Sequence, residues 1–290
     1  DDDGKTWGSP LVPHRDGLVT QHGFVTLLPD AKEGLLAMWL DGRAYETGDT
    51  FGSDGADAGA MQLRATTVNA DRTLSEDLLL DDMTCTCCQT SAAVTADGTV
   101  LLAYRDRTVD EVRDISVVRR VDGTWTAPKP ISGDGWEIDG CPVNGPAIST
   151  SGDYASLVWF TGAGGVPSVK MAFSDDQGAS FGPARKIDLG GPAGRVDLLQ
   201  LKDGSALVSW VEWTAAGEVL LTCRATATDG CGDPIAIAVN RTGNAMGFPR
   251  MTVAGEDVYI AWTEPSTDAA GRLDGGTTIH VARGQVNLAE

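Results

Sequence analysis

The chain has 290 residues, 42% of them hydrophobic, with eight tryptophans. This composition excludes an intrinsically disordered chain and suffices for one large core, so we predict a single domain over residues 1–290. The 22 Lys plus Arg against 41 Asp plus Glu give a formal net charge of −19, which disfavours nucleic acid and anionic membranes as partners. Membrane insertion is not expected, because no stretch has the ~20 apolar residues of a membrane span.

Five repeats of one strand pattern follow one another along the chain. Each has an apolar strand, a Gly/Asp turn, a second apolar strand ending in an aromatic residue, and an acidic or hydroxyl residue two positions later. These pairs are Trp39 and Asp41, Tyr104 and Asp106, Trp159 and Thr161, Trp210 and Glu212, and Trp262 and Glu264. Their interval of ~50 to 65 residues is close to one four-stranded propeller blade.

The remaining strands complete the pattern. First strands are predicted at residues 24–28, 90–94, 146–148, 196–199 and 250–253. Third strands are predicted at 61–66, 115–120, 168–173, 218–224 and 277–282, and weaker fourth strands at 77–80, 183–187 and 234–239. With 36 glycines available for turns, the sequence predicts an all-β fold.

A turn motif separates the third and fourth strands of the third repeat. Residues 174–181 fit the pattern S-x-D-x-G-x-[ST]-[FW], residues 2–7 repeat it without the serine, and residues 122–125 carry a shortened copy. In such a hairpin the Asp carboxylate accepts backbone N–H groups, and the Gly takes a left-handed conformation. We expect the aromatic residue to pack beneath the turn.

These hairpins resemble the Asp-boxes of sialidases and related propellers. Further segments are similar to bacterial exported propellers of the sialidase-like or exo-α-sialidase type: Pro13-His14-Arg15-Asp16, His22-Gly23-Phe24, Cys87-Cys88-Gln89-Thr90, Gly140-Cys141-Pro142-Val143-Asn144-Gly145-Pro146 and Gly247-Phe248-Pro249-Arg250-Met251. The resemblance covers essentially the whole chain and implies a six-bladed β-propeller of four-stranded antiparallel blades. Five blades are visible, so we expect part of an N-terminal blade to be missing from this sequence. A five-bladed ring closed by the terminal strands is the alternative.

Two of the cysteines indicate the cellular compartment of the protein. Cys223 and Cys231 flank the hairpin between the third and fourth strands of the fourth repeat. We expect a disulfide between them, with two reduced core cysteines as the alternative. A disulfide would indicate an exported protein, secreted or periplasmic.

Four further cysteines precede inner strands on one face of the expected propeller: Cys85, Cys87, Cys88 and Cys141. Three hypotheses stay open for them. They form two disulfides that pin adjacent blades, or they bind copper or zinc as thiolates together with His22 or both His22 and His14, or they are free or redox-active thiols.

The resemblance also implies a catalytic site on this face. Sialidases hold the substrate carboxylate with three arginines and use a Tyr supported by a Glu as nucleophile and an Asp as acid/base. Candidates for the clamp are Arg43, Arg105, Arg195 and Arg250, because guanidinium forks match a carboxylate. Tyr104 or Tyr45 is the candidate nucleophile, Glu212 or Glu264 the supporting residue, and Asp41 or Asp106 the acid.

The sequence therefore favours three alternative functions. The first is a glycoside hydrolase or carbohydrate-binding relative that recognises an anionic sugar, with a small-molecule or glycan ligand. The principal alternative is a copper- or zinc-binding propeller with a Cys/His centre, and the third is a non-catalytic interaction scaffold. The Arg-Ile-Pro motif found near the start of sialidases is not visible in this sequence.

Overall fold

The computed structural model describes residues 4–30, 34–45, 59–241, 246–267 and 272–285. Throughout these ranges the chain is built of antiparallel β-sheets, which confirms the all-β prediction. One short 3-10 turn lies at Ala163–Gly165, and the described segments include no helix of the length and apolarity needed to cross a membrane.

Five sheets follow the chain in order. Sheet 1 contains β1 (His22–Asp30), β2 (Gly34–Asp41), β3 (Met61–Val68) and β4 (Leu78–Thr84). Sheet 2 contains β5 (Ser91–Val94), β6 (Val100–Arg105), β7 (Ile115–Val121), β8 (Thr124–Trp125) and β9 (Lys129–Pro130). Sheet 3 contains β10 (Ala147–Ser151), β11 (Tyr154–Thr161), β12 (Ser168–Ser174) and β13 (Arg185–Lys186).

Like sheet 2, the last two sheets have a strand number other than four. Sheet 4 contains β14 (Pro192–Gln200), β15 (Ala206–Thr214), β16 (Gly217–Thr226), β17 (Gly230–Cys231) and β18 (Ile235–Asn240). Sheet 5 contains β19 (Arg250–Ala254), β20 (Asp257–Thr267) and β21 (Leu273–Gln285). Both β17 and β18 pair with β16, so the fourth strand predicted at 234–239 is the second of two short partners.

The first strands lie side by side in chain order. Strand β1 contacts β5, β5 contacts β10, β10 contacts β14, and β14 contacts β19, as the inner strands of a propeller do. Apolar clusters fill the spaces between successive sheets, with Met38 and Leu102 between sheets 1 and 2 and Val158 and Trp210 between sheets 3 and 4. Each inner sheet is therefore buried between two neighbours.

The Asp-box hairpin after β12 has the predicted geometry. Asp176 accepts hydrogen bonds from the backbone N–H and the hydroxyl of Ser180, at 2.9 and 2.6 Å, and a third from the Ser174 hydroxyl at 2.7 Å. The Ser180 hydroxyl and these other donors lower the pKa of Asp176 to about 2. Gly178 has φ of +74°, and a Cβ there would lie 2.5 Å from Leu101 Cδ1 in sheet 2. The turn thus also sets the contact between sheets 2 and 3.

The other two hairpin copies differ from this one. Asp122 and Gly123 both have positive φ, as a two-residue β-hairpin turn requires, and Trp125 packs against the core of sheets 1 and 2. The copy at residues 2–7 falls partly on residues 1–3, outside the described residues. Trp7 there is 89% exposed and does not pack beneath a turn as predicted.

Candidate functional site

The acidic residue that follows each repeat aromatic serves first as a hydrogen-bond acceptor. Residues two apart in a strand point to the same face of a sheet, and in three sheets the indole N–H donates to the acid two positions later. The pairs are Trp39 and Asp41 at 2.7 Å, Trp210 and Glu212 at 3.1 Å, and Trp262 and Glu264 at 2.8 Å. These contacts favour a structural role for the repeated acid, and the catalytic roles of Asp41, Glu212 and Glu264 stay predictions.

Glu212 is bonded to the backbone as well as to its indole partner. It is buried, and its Oε1 accepts the backbone N–H groups of Leu189 at 2.9 Å and Gly191 at 2.8 Å in addition to the indole contact through Oε2. The carboxylate therefore fixes the link between β13 and β14 onto β15. Its oxygens are directed into the protein and not toward a ligand surface.

Asp41 belongs to a charged cluster at the end of β2. Burial alone would raise the pKa of Asp41, but hydrogen bonds from Arg43 and Trp39 reverse this and leave the pKa below its ordinary value. Arg43 also pairs with Asp77 at 2.9 Å and with Asp16 at 3.2 Å. This arginine, a predicted clamp residue, is thus surrounded by three carboxylates.

The prediction that His22 lies among the cysteine sulfurs is wrong. Its Nδ1 contacts the carbonyl of Thr20 at 3.1 Å, its Nε2 contacts Asp16 at 2.7 Å, and its ring stacks on His14 with centroids 3.5 Å apart. Candidate metal-ligand atoms accordingly fall into two separate groups, one of His14, Asp16 and His22, and one of three cysteines. The first group has nitrogen and oxygen donors of the kind that zinc accepts, although Arg43 already balances the charge of Asp16.

The cysteines on this face form one disulfide and one thiol pair. Cys87 and Cys141 are joined, whereas Cys85 and Cys88 are buried free thiols whose sulfurs lie 2.6 Å apart. Of the three hypotheses for these cysteines, a site of four thiolates does not fit this arrangement, because two sulfurs bonded to each other cannot serve as thiolate ligands. One of the two disulfides of the first hypothesis is present. The predicted link between Cys223 and Cys231 is confirmed, with an S–S distance of 2.01 Å.

Two half-buried acids and a buried phenol lie together between sheets 1 and 2. The Tyr104 hydroxyl donates a short hydrogen bond to Asp81, a residue the sequence analysis missed. Asp106 accepts hydrogen bonds from the Ser116 hydroxyl and the Arg107 N–H, both at 2.8 Å. Burial, followed by the charge of Asp81, raises the pKa of Asp106 to about 6. Asp106 can therefore hold a proton in mildly acidic solution.

Neither candidate nucleophile faces solvent. Tyr104 is fully buried, and burial together with the carboxylates of Asp106 and Asp81 raises the pKa of its phenol. Tyr45 is also buried, with its hydroxyl 3.0 Å from the Thr86 hydroxyl. A raised pKa makes a phenolate nucleophile harder to form, so this geometry favours packing roles and the nucleophile assignment stays a prediction.

We expect Asp106→Asn to raise the free energy of unfolding at pH 7 by about 2 kcal/mol. The pKa of Asp106 in the folded protein is raised from its ordinary value of 3.8 to about 6, so the folded protein binds this proton more tightly than the unfolded chain does. The penalty is absent below about pH 4 and complete above about pH 6, and stability falls as pH rises between these values. Urea unfolding of both proteins at pH 4 and pH 7 measures the difference.

The control is a variant at an acid whose pKa is shifted in the opposite direction. Asp176 has a lowered pKa, so Asp176→Asn should reduce stability at pH 7 and have little effect at low pH. Equal pH dependence in the Asp106→Asn variant and in the parent protein would contradict the assignment of the raised pKa to Asp106.

The four candidate clamp arginines are not gathered in one place. Arg105 is only 2% exposed, and its guanidinium donates to the carbonyls of Asn144, Arg113 and Phe160 at 2.6 to 2.9 Å. It also lies 4.8 Å from the ring centroid of Trp136. The expectation that Arg105 presents its guanidinium to a substrate is corrected, because backbone carbonyls already occupy this group.

Arg195 and Arg250 lie on neighbouring first strands, and among the described residues each guanidinium bonds through one nitrogen only. Arg195 Nη1 lies 2.7 Å from Glu218, and Arg250 Nη1 lies 3.3 Å from Asp197. Asp197 also accepts the backbone N–H of Met251 at 2.6 Å, which ties β14 to β19. Arg195 sits in a β-bulge with φ of +51°, a conformation that re-aims a side chain and is often found near functional sites.

Asn144, from one of the segments that resemble the sialidase-like propellers, links three sheets. Its carbonyl accepts from Arg105, its Oδ1 accepts the backbone N–H of Arg195 at 2.8 Å, and its Nδ2 donates to Ala193 at 3.2 Å. A Cβ on Gly194 would lie 2.3 Å from Asn144 Oδ1, so glycine is required there. The amide thereby positions the bulge that carries Arg195.

Solved structures that are similar to this chain include carbohydrate-active enzymes. Neither protein-family models nor curated protein sequences match this chain. Among solved structures, a polysaccharide lyase family 25 ulvan lyase aligns with a TM-score of 0.56 at 11% identity, over 90% of this chain and 66% of the lyase. This chain thus spans slightly less than two thirds of the lyase.

Two arabinan-active enzymes are also similar in structure. The GH93 α-L-arabinofuranosidase of Fusarium graminearum has a TM-score of 0.55 at 13% identity, over 92% of this chain and 77% of that one. The Penicillium chrysogenum α-L-arabinanase has a TM-score of 0.50 at 12% identity, over 82% and 75%. At these identities the comparisons establish a β-propeller fold of the type seen in such enzymes. They do not establish the sialidase family that the sequence resembles.

Proposed function

We propose that this protein is an exported, carbohydrate-active β-propeller that binds an anionic sugar at the face where the first strands begin. The proposal includes the six-bladed architecture expected from the sialidase resemblance. Exposed apolar side chains on sheet 1, such as Val25 and Leu27, and on sheet 5, such as Ile279 and Val281, support it because they leave an apolar surface at both ends of the row of sheets.

The observation that carries the proposal is the pair Arg195 and Arg250. In the described part of the chain each guanidinium reaches a carboxylate through one nitrogen, and Arg250 is 56% exposed on its side chain. The remaining N–H groups suit the two oxygens of a ligand carboxylate or sulfate. Because the whole chain has a net charge of −19, attraction of an anion must come from such local groups and not from the overall field.

Similar structures add support for an acidic ligand. The ulvan lyase was solved with a saccharide containing glucuronic acid and 3-sulfated rhamnose, which is anionic. Hydrolysis would further need a proton donor, and Asp106 is the best candidate among the predicted acids because its pKa is raised to about 6. Export is supported by the two disulfides, which persist in oxidising compartments.

One observation favours the principal alternative, a metal-binding propeller. His14, Asp16 and His22 place two imidazoles and a carboxylate within 4.8 Å of one another, a donor set that zinc accepts. Metal analysis of the purified protein separates the two functions. Stoichiometric zinc lost in His22→Ala would favour the metal-binding propeller.

We expect Arg250→Ala to weaken binding of an acidic oligosaccharide by about 10- to 100-fold, since charge-assisted hydrogen bonds contribute about 1.5 to 3 kcal/mol. A glucuronic-acid oligosaccharide and its carboxyl-reduced neutral analogue are the probes, measured by calorimetry. The matched control is Arg185→Ala, an exposed arginine on the outer strand β13.

The neutral analogue decides the interpretation. Equal weakening of both ligands in Arg250→Ala would indicate damage to the fold and not the loss of an anion contact. Failure of the parent protein to bind either oligosaccharide at millimolar concentration would overturn the proposed function.

A further inference from the structure

The four cysteines at the entrances of sheets 2 and 3 combine a disulfide with a neighbouring dithiol. Cys87 precedes β5 and Cys141 precedes β10, so their bond connects the two entrances across 54 residues of sequence. Cys85 and Cys88 form a C-x-x-C pair beside it and are free thiols. The proposed carbohydrate binding involves neither pair.

Distances between the sulfurs permit exchange. Cys85 Sγ lies 3.9 Å from Cys87 Sγ and 2.6 Å from Cys88 Sγ. Thiol–disulfide exchange needs a thiolate within reach of a disulfide sulfur, followed by a second thiol that resolves the new bond. Cys85 is placed to be the attacking group and Cys88 the resolving group.

The surroundings of Cys85 stabilise a thiolate. Arg113 is fully buried, and its Nη1 lies 3.9 Å from Cys85 Sγ. The hydrogen bond from Cys88 lowers the pKa of Cys85, and the charges of Arg105 and Arg113 act in the same direction. Burial raises the pKa of Cys88. Arg113 thus places a positive charge beside the sulfur that is positioned to attack.

We propose that Cys85 and Cys88 exchange with the Cys87–Cys141 disulfide, so that the four cysteines form one redox centre with two alternative pairings. In the first step the Cys85 thiolate attacks Cys87 Sγ. The Cys85–Cys87 bond forms, the Cys87–Cys141 bond breaks, and the electron pair leaves on Cys141, which takes a proton from solvent.

The second step completes the transfer. Cys88 loses its proton to solvent and its thiolate attacks Cys85 Sγ, so the Cys85–Cys88 bond forms and the electron pair of the broken Cys85–Cys87 bond leaves on Cys87. One disulfide is consumed and one is formed, so no external oxidant or reductant is needed. The exchange removes the cross-link between sheets 2 and 3 and leaves a thiol on Cys141, which is exposed.

Native-state alkylation tests the exchange. The protein is equilibrated in a dithiothreitol redox buffer until intact mass shows one disulfide among these four cysteines. The buffer is then removed and the folded protein is treated with N-ethylmaleimide. Linkage mapping of unreduced peptides is expected to find Cys141 alkylated and Cys85 bonded to Cys87 or Cys88. The Cys223–Cys231 bond should remain unlabelled and serves as the internal control.

Two variants separate the steps. Cys85→Ser removes the attacking sulfur, and labelling of Cys141 should fall at least about tenfold. Cys88→Ser keeps the first step, so Cys141 should still be labelled, now with Cys85 bonded to Cys87 alone. Circular dichroism checks that each variant is folded.

The linkage map of the parent protein decides the outcome even if a variant fails to fold. Cys87–Cys141 as the sole linkage, with Cys141 never alkylated, would overturn the proposal. Equal labelling of Cys141 in the parent protein and in folded Cys85→Ser would also overturn it, as would a stoichiometric zinc or copper ion released when Cys85 and Cys88 are alkylated.

Discussion

Arg105→Ala is expected to lower the free energy of unfolding by about 4 kcal/mol. The guanidinium makes four hydrogen bonds to three carbonyls that belong to sheet 2, sheet 3 and the segment before β10. Without the side chain, these buried acceptors lose their partners and a cavity opens beside Trp136. Urea unfolding followed by circular dichroism measures the loss.

Conservative and exposed arginine changes are the controls for this variant. Arg105→Lys keeps the charge but cannot reach three carbonyls at once, so an intermediate loss is expected. Arg185→Ala, on an exposed strand, should change stability by less than about 0.5 kcal/mol. If Arg105→Ala were as stable as the parent protein and bound sugar more weakly, the arginine would belong to the ligand site after all.

Glu212→Ala should lower the free energy of unfolding by about 3 kcal/mol. The substitution leaves three donors without an acceptor, namely the N–H groups of Leu189 and Gly191 and the indole of Trp210. The matched control is Glu264→Ala, because Glu264 is half-buried and accepts only the Trp262 indole among hydrogen bonds in the described segments. Its loss should be about 1 kcal/mol.

Thermal and urea unfolding of both variants measure this contrast. A stable Glu212→Ala protein with lost glycosidase activity would contradict the structural role and restore the catalytic prediction. Equal losses in the two variants would show that the backbone contacts of Glu212 contribute little.

The fold could be predicted from the sequence because its periodicity is strong. Alternating strands, glycine turns and the recurring aromatic residue identify all five sheets. In the hairpin at Asp176, the carboxylate accepts a backbone N–H and Gly178 has positive φ, as predicted. The start of β14 at Pro192 was missed by four residues. Two register shifts around Gly194 and Arg195 extend that strand, and a bulge leaves no regular alternation in the sequence.

The roles of individual site residues were harder to predict than their positions. Arg105 stands where the other repeats have Leu40, Phe160, Val211 or Thr263, so its alignment with mainly apolar residues could have indicated burial. The acids after the aromatics were interpreted as catalytic, although their spacing of two already places them beside the indole. His22 pairs with Asp16 from an irregular segment that has no periodic signal.

Cysteine pairing could not be derived from the sequence. Six cysteines allow 15 full pairings, and local spacing favours only the Cys223 and Cys231 pair. The bond from Cys87 to Cys141 depends on how two consecutive sheets approach each other, which is a property of packing. The separation of His22 from the sulfurs has the same origin.

The buried tryptophans allow the unfolding of most sheets to be followed by intrinsic fluorescence. Trp39, Trp159, Trp210 and Trp262 are buried in four different sheets, whereas Trp7 and Trp213 are exposed. Indoles shielded from water emit at shorter wavelengths than hydrated ones, so the fluorescence of each buried residue reports on its own sheet. Parts of a protein can open with different free energies. Variants that keep one of these tryptophans and have phenylalanine at the other positions would therefore show the order in which the sheets unfold.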